Sequence, residues 1–560
     1  MTQQKHPWTA NYDNGVDWNM NFGAKPVFAL LDETRTKFAD RPAFDFLGKK
    51  YTWAEISDLS SRFAAGLQAL GIKKGQKIGL FLPNSPYFLI AYYGILRTGA
   101  TVVNFNPLYA EKELAHQIAD SETDMMVTVD IAMLYGKMKK MMLQTRLQKL
   151  ILCKFTDILP FPKNILFSVF KAKECAKVEP SDKIAWFHDL INNDGAVKIP
   201  AIDPENDIAL LQYTGGTTGV PKGAMLTHHN VRVNALQSVA WFGNVKHGES
   251  KMLGILPFFH VFAMTAVMNF SVATGSEIIG MPRFDLDEAL KIIQKKKPQY
   301  FPAVPAIYSG INNHPDLKKY DISSLEYCIS GGAPLPVEVK KNFERITGCI
   351  VVEGYGLTES SPVACANPIN GENKPGSIGM PLPGTIVEIV DPADKTTLMP
   401  IGERGELCVR GPQVMKGYYN KPLETAETLK DGRLYTGDIA IMDARGYVYI
   451  VDRIKDMIIT NGYNVYPRNV EEAIYLHPCV EECIVAGLPD EQRGEIVKAW
   501  IKIKPGTALT EDDLKKFLAD KISKMEIPKL VEFRDKPLPK TMIGKLSRKD
   551  IIAEEKSRKT

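Results

Sequence analysis

The chain has 560 residues, and since single hydrophobic cores stop growing beyond roughly 250–300 residues, two or more domains are expected. Hydrophobic residues make up 45% and charged residues 24%, which is ordinary for a soluble globular protein. The formal net charge of +4 is small for this length and argues against a nucleic-acid binder.

Apolar runs alternate with amphipathic stretches in the first part of the chain. The runs at 77–83, 101–105, 125–129 and 149–153 suit buried strands, and 53–71 suits an amphipathic helix. Strands that alternate with helices predict parallel α/β layers.

The apolar segment 252–274 is long enough to cross a bilayer. It contains Pro257, His260 and Asn269, and it lacks the flanking pattern of basic residues that is expected of a span. Polar residues of this kind are rare inside membrane helices. We therefore predict a buried interior segment.

The character of the sequence changes from about residue 384, where short strands separated by turns predominate. After Asp452 a smaller unit follows, with its own strand and helix signals. We predict an α/β fold with a large N-terminal domain of parallel and mixed layers, a small β-barrel-like subdomain and a small mobile C-terminal α+β domain. The predicted boundaries are 1–452, a hinge at 453–455, and 456–560.

The eight cysteines contain no CxxC pair, and no cysteine–histidine cluster has zinc spacing. They are typical of reduced thiols in a cytosolic protein. The first residues are polar and lack an apolar signal core. These features favour a cytoplasmic location.

The stretch YTGGTTGVPKG (213–223) combines glycines, hydroxyls and one lysine. Backbone N–H groups of a glycine-rich loop form a concave anion site, and the hydroxyls and the lysine add donors and a cation. This suits the phosphates of a nucleotide triphosphate, although the Walker pattern does not fit; a flexible surface turn is the alternative. The candidate phosphate-binding residues are Thr214, Gly215, Gly216, Thr217, Thr218, Gly219 and Lys222.

This loop resembles the signature of the adenylate-forming enzymes, which include acyl-CoA ligases, firefly luciferase and peptide-synthetase adenylation domains. Four further segments follow in the family's order and spacing: GYGLTES (354–360), LYTGDIA (434–440), VDRIKDMIITNGYNVYP (451–467) and LPKTMIGKL (538–546). The segment from DGRLYTGD to IKDMI, the chain length and the opening HPWTANY are similar to bacterial long-chain fatty-acid–CoA ligases.

The resemblance implies a reaction in two halves. A carboxylate attacks the α-phosphate of ATP to give acyl-adenylate and pyrophosphate, and the thiol of CoA then attacks the acyl carbon and releases AMP. The substrates are therefore a fatty acid, ATP and CoA, with Mg²⁺ as cofactor. Because the first half brings an anion against a tetra-anion, it needs cations and oriented N–H groups.

The resemblance also implies roles for the nucleotide site. Glu359 would ligate Mg²⁺, since this cation prefers carboxylate oxygen, and Thr358 would contact the α-phosphate. Tyr355 and Gly356 would form one side of the adenine slot, with a core aromatic as the alternative for Tyr355. Asp438 would bind the ribose hydroxyls. Gly332, Ala333 and Pro334 would form the opposite wall of the adenine slot. Arg453 would contact the ribose or the phosphate.

The C-terminal motifs imply a conformational change. Lys545 would neutralise charge between the carboxylate and the α-phosphate, although a lone lysine in a loop is usually just solvated. Because a lysine in that position blocks CoA, the small domain would rotate at the hinge residue Lys455. Gly462 would then line the pantetheine tunnel, where only a residue without a side chain leaves room.

The sequence indicates the identity of the acid substrate less clearly than the nucleotide site. His260 would face the acyl and adenylate ends, as in related enzymes. Its neighbours Phe258, Phe259, Phe262 and Met264 suit either an apolar acyl tunnel or an ordinary core. Met264 stands where one long-chain relative has a gating tryptophan, so that gate does not carry over, although methionine could act as a flexible plug.

Between residues 135 and 178 ten lysines and arginines stand against two acids, Asp157 and Glu174, with apolar clusters between them. This pattern suits peripheral contact with an anionic membrane, which would be the inner face of the cell membrane. A solvated basic loop plus a core strand is the alternative. A homodimer is a further open prediction.

The leading hypothesis is an ATP-dependent long-chain fatty acid–CoA ligase. Alternatives are a CoA ligase for a medium-chain or aryl acid, an acyl-AMP ligase that loads a carrier protein, and a luciferase-like oxygenase. The non-enzyme alternative is an inactive nucleotide- or acyl-binding protein.

Overall fold

The computed structural model describes residues 6–214, 221–461, 463–490, 492–541 and 545–559. The helices are α1 (Ala29–Phe38), α2 (Trp53–Ala69), α3 (Pro86–Arg97), α4 (Glu111–Asp120), α5 (Ala132–Gln144), α6 (Lys163–Phe170), α7 (Phe187–Leu190), α8 (His228–Trp241), α9 (Val261–Ala263), α10 (Phe270–Thr274), α11 (Leu286–Lys296), α12 (Pro305–Asn312), α13 (Val337–Thr347), α14 (Pro422–Thr428), α15 (Pro467–Tyr475), α16 (Glu511–Leu518) and α17 (Arg548–Lys559).

The strands belong to separate sheets. In chain order they are β1 (Pro42–Phe46), β2 (Lys49–Thr52), β3 (Lys77–Phe81), β4 (Thr101–Asn104), β5 (Met125–Val129), β6 (Lys149–Cys153), β7 (Ile184–Trp186), β8 (Ile208–Tyr213), β9 (Gly223–Thr227), β10 (Lys251–Gly254), β11 (Glu277–Gly280), β12 (Tyr300–Ala303), β13 (Tyr327–Ser330), β14 (Ile350–Gly356), β15 (Val363–Ala366), β16 (Met380–Pro381), β17 (Ile386–Val390), β18 (Gly405–Arg410), β19 (Gly417–Tyr418), β20 (Leu429–Lys430), β21 (Arg433–Met442), β22 (Val448–Arg453), β23 (Ile458–Thr460), β24 (Tyr463–Val465), β25 (Val480–Asp490), β26 (Gly494–Ile503) and β27 (Leu530–Phe533).

Two large sheets form the α/β layers. One has the order β16-β15-β14-β13-β12-β10-β11-β1-β2, and the other has the order β19-β9-β8-β4-β3-β5-β6-β7. The strands from β3 to β6 pair in parallel and match the four predicted apolar runs. Parallel strands need crossover helices, which is why helices alternate with strands through this region. The predicted α/β layers are confirmed.

Helix α2 shows how the sequence fixes these elements. Thr52 caps the helix, since its Oγ1 accepts a hydrogen bond from the backbone N–H of Glu55 at 3.2 Å. The carboxylate of Glu55 in turn accepts from the N–H of Thr52 at 2.7 Å, which completes a capping box. Trp53, Phe63 and Leu67 from this helix are fully buried. The predicted helix at 53–71 is therefore confirmed.

The segment 252–274 is buried in the interior, as predicted. It begins with strand β10 and continues through α9, a π-helical stretch (Met264–Asn269) and α10. Asn269 lies in this stretch and accepts a hydrogen bond from the hydroxyl of Tyr93 at 2.8 Å. Within the described residues, no helix combines the length and the apolar character needed to cross a bilayer.

The third sheet consists of short antiparallel strands, in the order β17-β18-β21-β20 with β22 paired to β21. It corresponds to the predicted barrel-like subdomain. The last sheet has the order β24-β23-β26-β25, with β27 parallel to β26, and packs with α15 and α16. These two sheets have separate apolar clusters: the main cluster runs from Trp8 to Val448, and the next begins at Ile458. All eight cysteines are free thiols.

Candidate active site

A cleft of about 2580 Å³ lies where strands of both large sheets end, beside the third sheet and the C-terminal unit. The carboxyl ends of parallel strands are the usual place for ligands in such sheets. The described candidate residues that line it are Thr214, Lys222, His260, Gly332, Ala333, Pro334, Tyr355, Gly356, Thr358, Glu359, Asp438, Arg453, Lys455 and Lys545. The candidates Gly215, Gly216, Thr217, Thr218, Gly219 and Gly462 lie outside the described residues.

Two glycines of the cleft have backbone positions that other residues do not fit. Gly332, after β13, has a φ of +79°, which is in the left-handed region. At Gly356 a Cβ atom would lie 2.0 Å from the carbonyl oxygen of Pro362. This close approach occurs at the bulge between β14 and β15, and it brings the backbone next to Tyr355 to the cleft wall.

Tyr355, Asp438 and Arg453 form one connected group. The antiparallel register of β21 and β22 places Asp438 opposite Arg453, and Arg453 Nε lies 3.3 Å from Asp438 Oδ1. The hydroxyl of Tyr355 donates to Asp438 Oδ2 at 2.5 Å. Burial and the neighbouring carboxylate raise the pKa of Tyr355 well above its usual value, so the phenol keeps its proton. Tyr355 and Arg453 thus hold the Asp438 carboxylate in one orientation, each through a different oxygen.

Glu359 lies in a short 3-10 helix (Thr358–Ser360) that follows β14. Its Oε1 accepts a hydrogen bond from the hydroxyl of Tyr418 at 2.6 Å. The ammonium of Lys222 lies 4.6 Å from the centroid of the same tyrosine ring, within the range of a cation–π contact. The sequence analysis missed Tyr418, because one tyrosine in the segment KGYYN carries no recognisable signal.

His260 and Lys545 both line the cleft, and the charge of Lys545 acts on His260. Burial, with a smaller contribution from the charge of Lys545, lowers the pKa of His260 to about 4. Its Nδ1 accepts a hydrogen bond from the backbone N–H of Phe262 at 3.2 Å, so the proton of the neutral ring is on Nε2. Burial and the nearby Arg453 guanidinium lower the pKa of Lys545 to about 8, while Asp438 opposes this shift.

Arg548, three residues after Lys545, contacts three carboxylates. Its Nη1 lies 3.2 Å from Asp452 and 2.9 Å from Asp456, and its Nη2 lies 2.7 Å from Glu471. Asp452 also accepts a hydrogen bond from the N–H of Arg468 in the first turn of α15 at 2.7 Å. These contacts hold the start of α17, three residues after Lys545, against the end of β22. No sequence motif indicated this arrangement.

The cleft has an apolar part beyond His260. Phe259 and Phe262 line it, as the tunnel hypothesis predicted. Phe258 and Met264 do not; both are fully buried core residues, which is the alternative that the sequence left open for them. The role of Met264 as a plug stays a prediction. The cleft lining also includes the apolar side chains of Trp241, Phe242, Val261, Ala266 and Phe270.

Known proteins resemble this chain over its whole length. A long-chain-fatty-acid–CoA ligase of Bacillus subtilis (strain 168) is 46% identical over 556 residues, which cover 99% of each chain. A long-chain-fatty-acid–CoA ligase of Escherichia coli O157:H7 is 37% identical over 565 residues, again with 99% of each chain covered.

Solved structures share the fold. ATP-bound MatB from Rhodopseudomonas palustris has a TM-score of 0.79 and 29% identity, covering 95% of this chain and 99% of that chain. The anthranilate CoA ligase AuaEII, in complex with anthranoyl-AMP, has a TM-score of 0.83 at 24% identity over 96% of this chain and 98% of that chain, which supports the fold alone.

The family patterns cover both parts of the chain. The AMP-binding enzyme pattern matches residues 31–419, and the pattern of the AMP-binding enzyme C-terminal domain matches residues 469–545. These ranges contain most of the residues that line the cleft. The chain therefore belongs to the AMP-binding enzyme family.

Proposed function

We propose that this protein is an ATP-dependent long-chain fatty acid–CoA ligase. A carboxylate oxygen of the acid attacks the α-phosphorus of ATP, the bond to pyrophosphate breaks, and acyl-AMP forms. The sulfur of CoA then attacks the acyl carbon, and AMP leaves. The names of the full-length relatives support this substrate class, and so does the apolar part of the cleft beside His260.

The nucleotide would bind along the cleft wall that contains Tyr355 and Asp438. Asp438 would accept hydrogen bonds from the ribose hydroxyls, since a carboxylate has acceptor capacity beyond its bonds to Tyr355 and Arg453. The adenine would lie between Tyr355 and the backbone of 332–334. Thr358, Lys222 and the loop 214–219 would contact the phosphates.

Glu359 is the residue that would hold Mg²⁺. Its Oε1 is oriented by Tyr418, and among the described residues nothing hydrogen-bonds to Oε2. Mg²⁺ at such sites is held by one or two carboxylates together with substrate phosphates, so a single glutamate fits the ion. When bound, the ion supplies positive charge to the phosphate oxygens. Tyr418 would keep the carboxylate directed into the cleft.

Lys545 would provide the mobile positive charge of the first half-reaction. Its pKa of about 8 leaves the amine protonated at neutral pH. His260 would be neutral, because its pKa of about 4 lies well below that pH. The neutral ring can then donate from Nε2 toward the acyl carboxylate without adding charge. The observation that carries the proposal is the presence of Lys545 in the same cleft as His260, Tyr355 and Asp438.

The position of Lys545 in the cleft supports an arrangement for the first half-reaction. For the second, we propose that the C-terminal unit (456–560) rotates about the hinge 453–455, with Lys455 as pivot, relative to the N-terminal unit (1–452). Lys545 would leave the cleft and Gly462 would approach the path of the pantetheine arm. The separate apolar clusters on the two sides of this boundary support such a division.

We place the enzyme in the cytoplasm, at the surface of a membrane. Eight free thiols fit a reducing compartment, and long-chain acids partition into bilayers. A homodimer stays a prediction without structural support.

The test is a two-stage assay. Pyrophosphate release with ATP, Mg²⁺ and a panel of acids identifies the substrate; we expect long-chain acids to give the highest rates. Adding CoA then identifies the acceptor through the thioester product. Pyrophosphate release only with short or aryl acids would contradict the substrate class, and no release with any acid would contradict the reaction.

A further inference from the structure

Helix α6 presents its apolar side chains to solvent. No residue of α6, all of which the structure describes, is buried. Val169 is 64% exposed and Phe170 is 78% exposed, and Phe161, just before the helix, is 80% exposed. Elsewhere in the described chain, exposed large apolar side chains stand singly or in pairs. The surface of this helix therefore differs from the rest of the molecule.

The helix is nevertheless held against the protein. The ring of Phe167 packs on that of Phe155 with centroids 5.1 Å apart, and Phe155 contacts the buried Phe46 at 6.1 Å. Lys163 Nζ donates to the carbonyl oxygen of Leu47 at 2.9 Å. One inward aromatic and one lysine thus orient α6 so that its remaining apolar residues face outward. A disordered loop would not present them on one side.

Lysines flank the apolar residues. Lys163 begins the helix, Lys171 and Lys173 follow it, and all three are exposed. Lys154 lies next to the 3-10 turn (Phe155–Ile158) on which α6 packs. The nearby acids are Asp157, 4.0 Å from Lys154, and Glu174, 2.6 Å from Lys171. The surface is therefore apolar at its centre and basic at its rim.

We propose that α6 and its flanks form the surface by which the enzyme docks on an anionic lipid bilayer. The docking surface consists of Phe161, Ile165, Leu166, Val169 and Phe170 with Lys154, Lys163, Lys171 and Lys173. Apolar side chains would enter the boundary between headgroups and acyl chains, and the lysines would contact anionic headgroups. The basic rim favours a bilayer over a second copy of this chain, since two copies would bring like charges together.

The choice of a lipid bilayer as the partner of this surface rests on the proposed function, in which the enzyme works at a membrane. Its test does not depend on catalysis. Vesicles of phosphatidylcholine alone, and of phosphatidylcholine with phosphatidylglycerol, are floated with the full-length protein. We expect recovery with the anionic vesicles, weakened by added salt because headgroup attraction is screened. Equal recovery with both vesicle types, or none with either, would overturn the proposal.

Matched variants locate the surface. Phe170→Ser should lower the bound fraction about tenfold, since the protein loses one phenylalanine side chain that would be buried in the lipid. The control Leu423→Ser changes a leucine that is equally exposed, at 77%, on α14, and should bind like the unchanged protein. Lys171→Gln/Lys173→Gln should abolish the preference for anionic vesicles, whereas Lys318→Gln/Lys319→Gln, on another exposed turn, should not.

Sedimentation of the same variants tests the second copy as occupant. If the unchanged protein forms a dimer that Phe170→Ser dissociates, while vesicle binding is the same in both, the surface is a self-association site and the proposal is wrong. Pyrophosphate release, measured without vesicles, should be unchanged in these variants. If neither the unchanged protein nor any variant released pyrophosphate, the proposed ligase activity would be contradicted. The flotation result would still decide the docking surface.

Discussion

The guanidinium of Arg548 lies 3.2 Å from the carboxylate of Asp452. Asp452 lies near the end of strand β22 on one side of the proposed hinge, and Arg548 begins α17 on the other side. The remaining partners of this guanidinium, Asp456 and Glu471, lie on the same side as Arg548. Rotation at Lys455 would therefore separate Arg548 from Asp452 and retain the other two contacts. This ion pair belongs to the arrangement in which Lys545 is in the cleft.

Replacing Arg548 should consequently affect one half-reaction. We expect Arg548→Gln to slow pyrophosphate release roughly tenfold, equivalent to about 1.4 kcal/mol, because Lys545 is less often in place. Conversion of supplied acyl-AMP to thioester should be unchanged, and Arg548→Lys should restore part of the loss. The control Arg410→Gln removes a guanidinium paired with Glu388 at 3.0 Å outside the cleft and should affect neither step. Equal loss of both steps would indicate a merely structural role for Arg548.

The pH dependence of the first half-reaction should report Lys545. Its pKa in the free enzyme is lowered to about 8, and the protonated form is the one that neutralises charge. Thus kcat/KM for ATP should be constant below pH 8 and fall about tenfold per pH unit above it. Lys545→Arg should be slower but should lose this alkaline limb, because a guanidinium does not titrate there. An unchanged alkaline limb in Lys545→Arg would assign it to another group.

Tyr418 should set the magnesium requirement. Tyr418→Phe removes the hydrogen bond to Glu359 that measures 2.6 Å, so the carboxylate is less well oriented. We expect the Mg²⁺ concentration for half-maximal pyrophosphate release to rise about tenfold, in the range that oriented metal ligands lose with a neighbour.

The adjacent Tyr419→Phe is the matched control for Tyr418→Phe. The hydroxyl of Tyr419 donates to Glu122 at 2.6 Å, and Tyr419 does not line the cleft. The magnesium dependence of Tyr419→Phe should therefore equal that of the unchanged protein. The same magnesium dependence in both variants would refute the role given to Glu359.

The hydroxyl of Tyr355 should contribute to ATP binding through Asp438. Tyr355→Phe keeps the ring and removes the 2.5 Å hydrogen bond. Because hydrogen bonds to charged groups are worth about 1.5–3 kcal/mol, we expect KM for ATP to rise at least about tenfold with a smaller change in kcat. Tyr447→Phe, which loses a hydrogen bond to the carbonyl oxygen of Glu372, is the control. A loss confined to kcat would place Tyr355 in the chemistry rather than in binding.

The sequence predicted the elements whose signals are local. The strands from β3 to β6 and helix α2 follow from apolar periodicity and a capping box, and the candidate residues from ordered motifs. The sequence could not show which residues of 258–264 line the cleft, because a turn, the three-residue helix α9 and the start of the π-helical stretch follow one another there and give no regular period. Tyr418 and Arg548 were missed because their roles come from contacts between elements distant in the chain.

The most direct test of the account is to separate the two half-reactions in Lys545→Ala. We predict that pyrophosphate release from ATP, Mg²⁺ and a long-chain acid falls about 10²–10³-fold, as expected when one electrostatic contact to the reacting groups is removed. The same preparation should still convert supplied acyl-AMP and CoA to thioester, and Gly462→Leu should show the reverse pattern. If Lys545→Ala lost both steps equally, or neither, the central role of Lys545 would be contradicted.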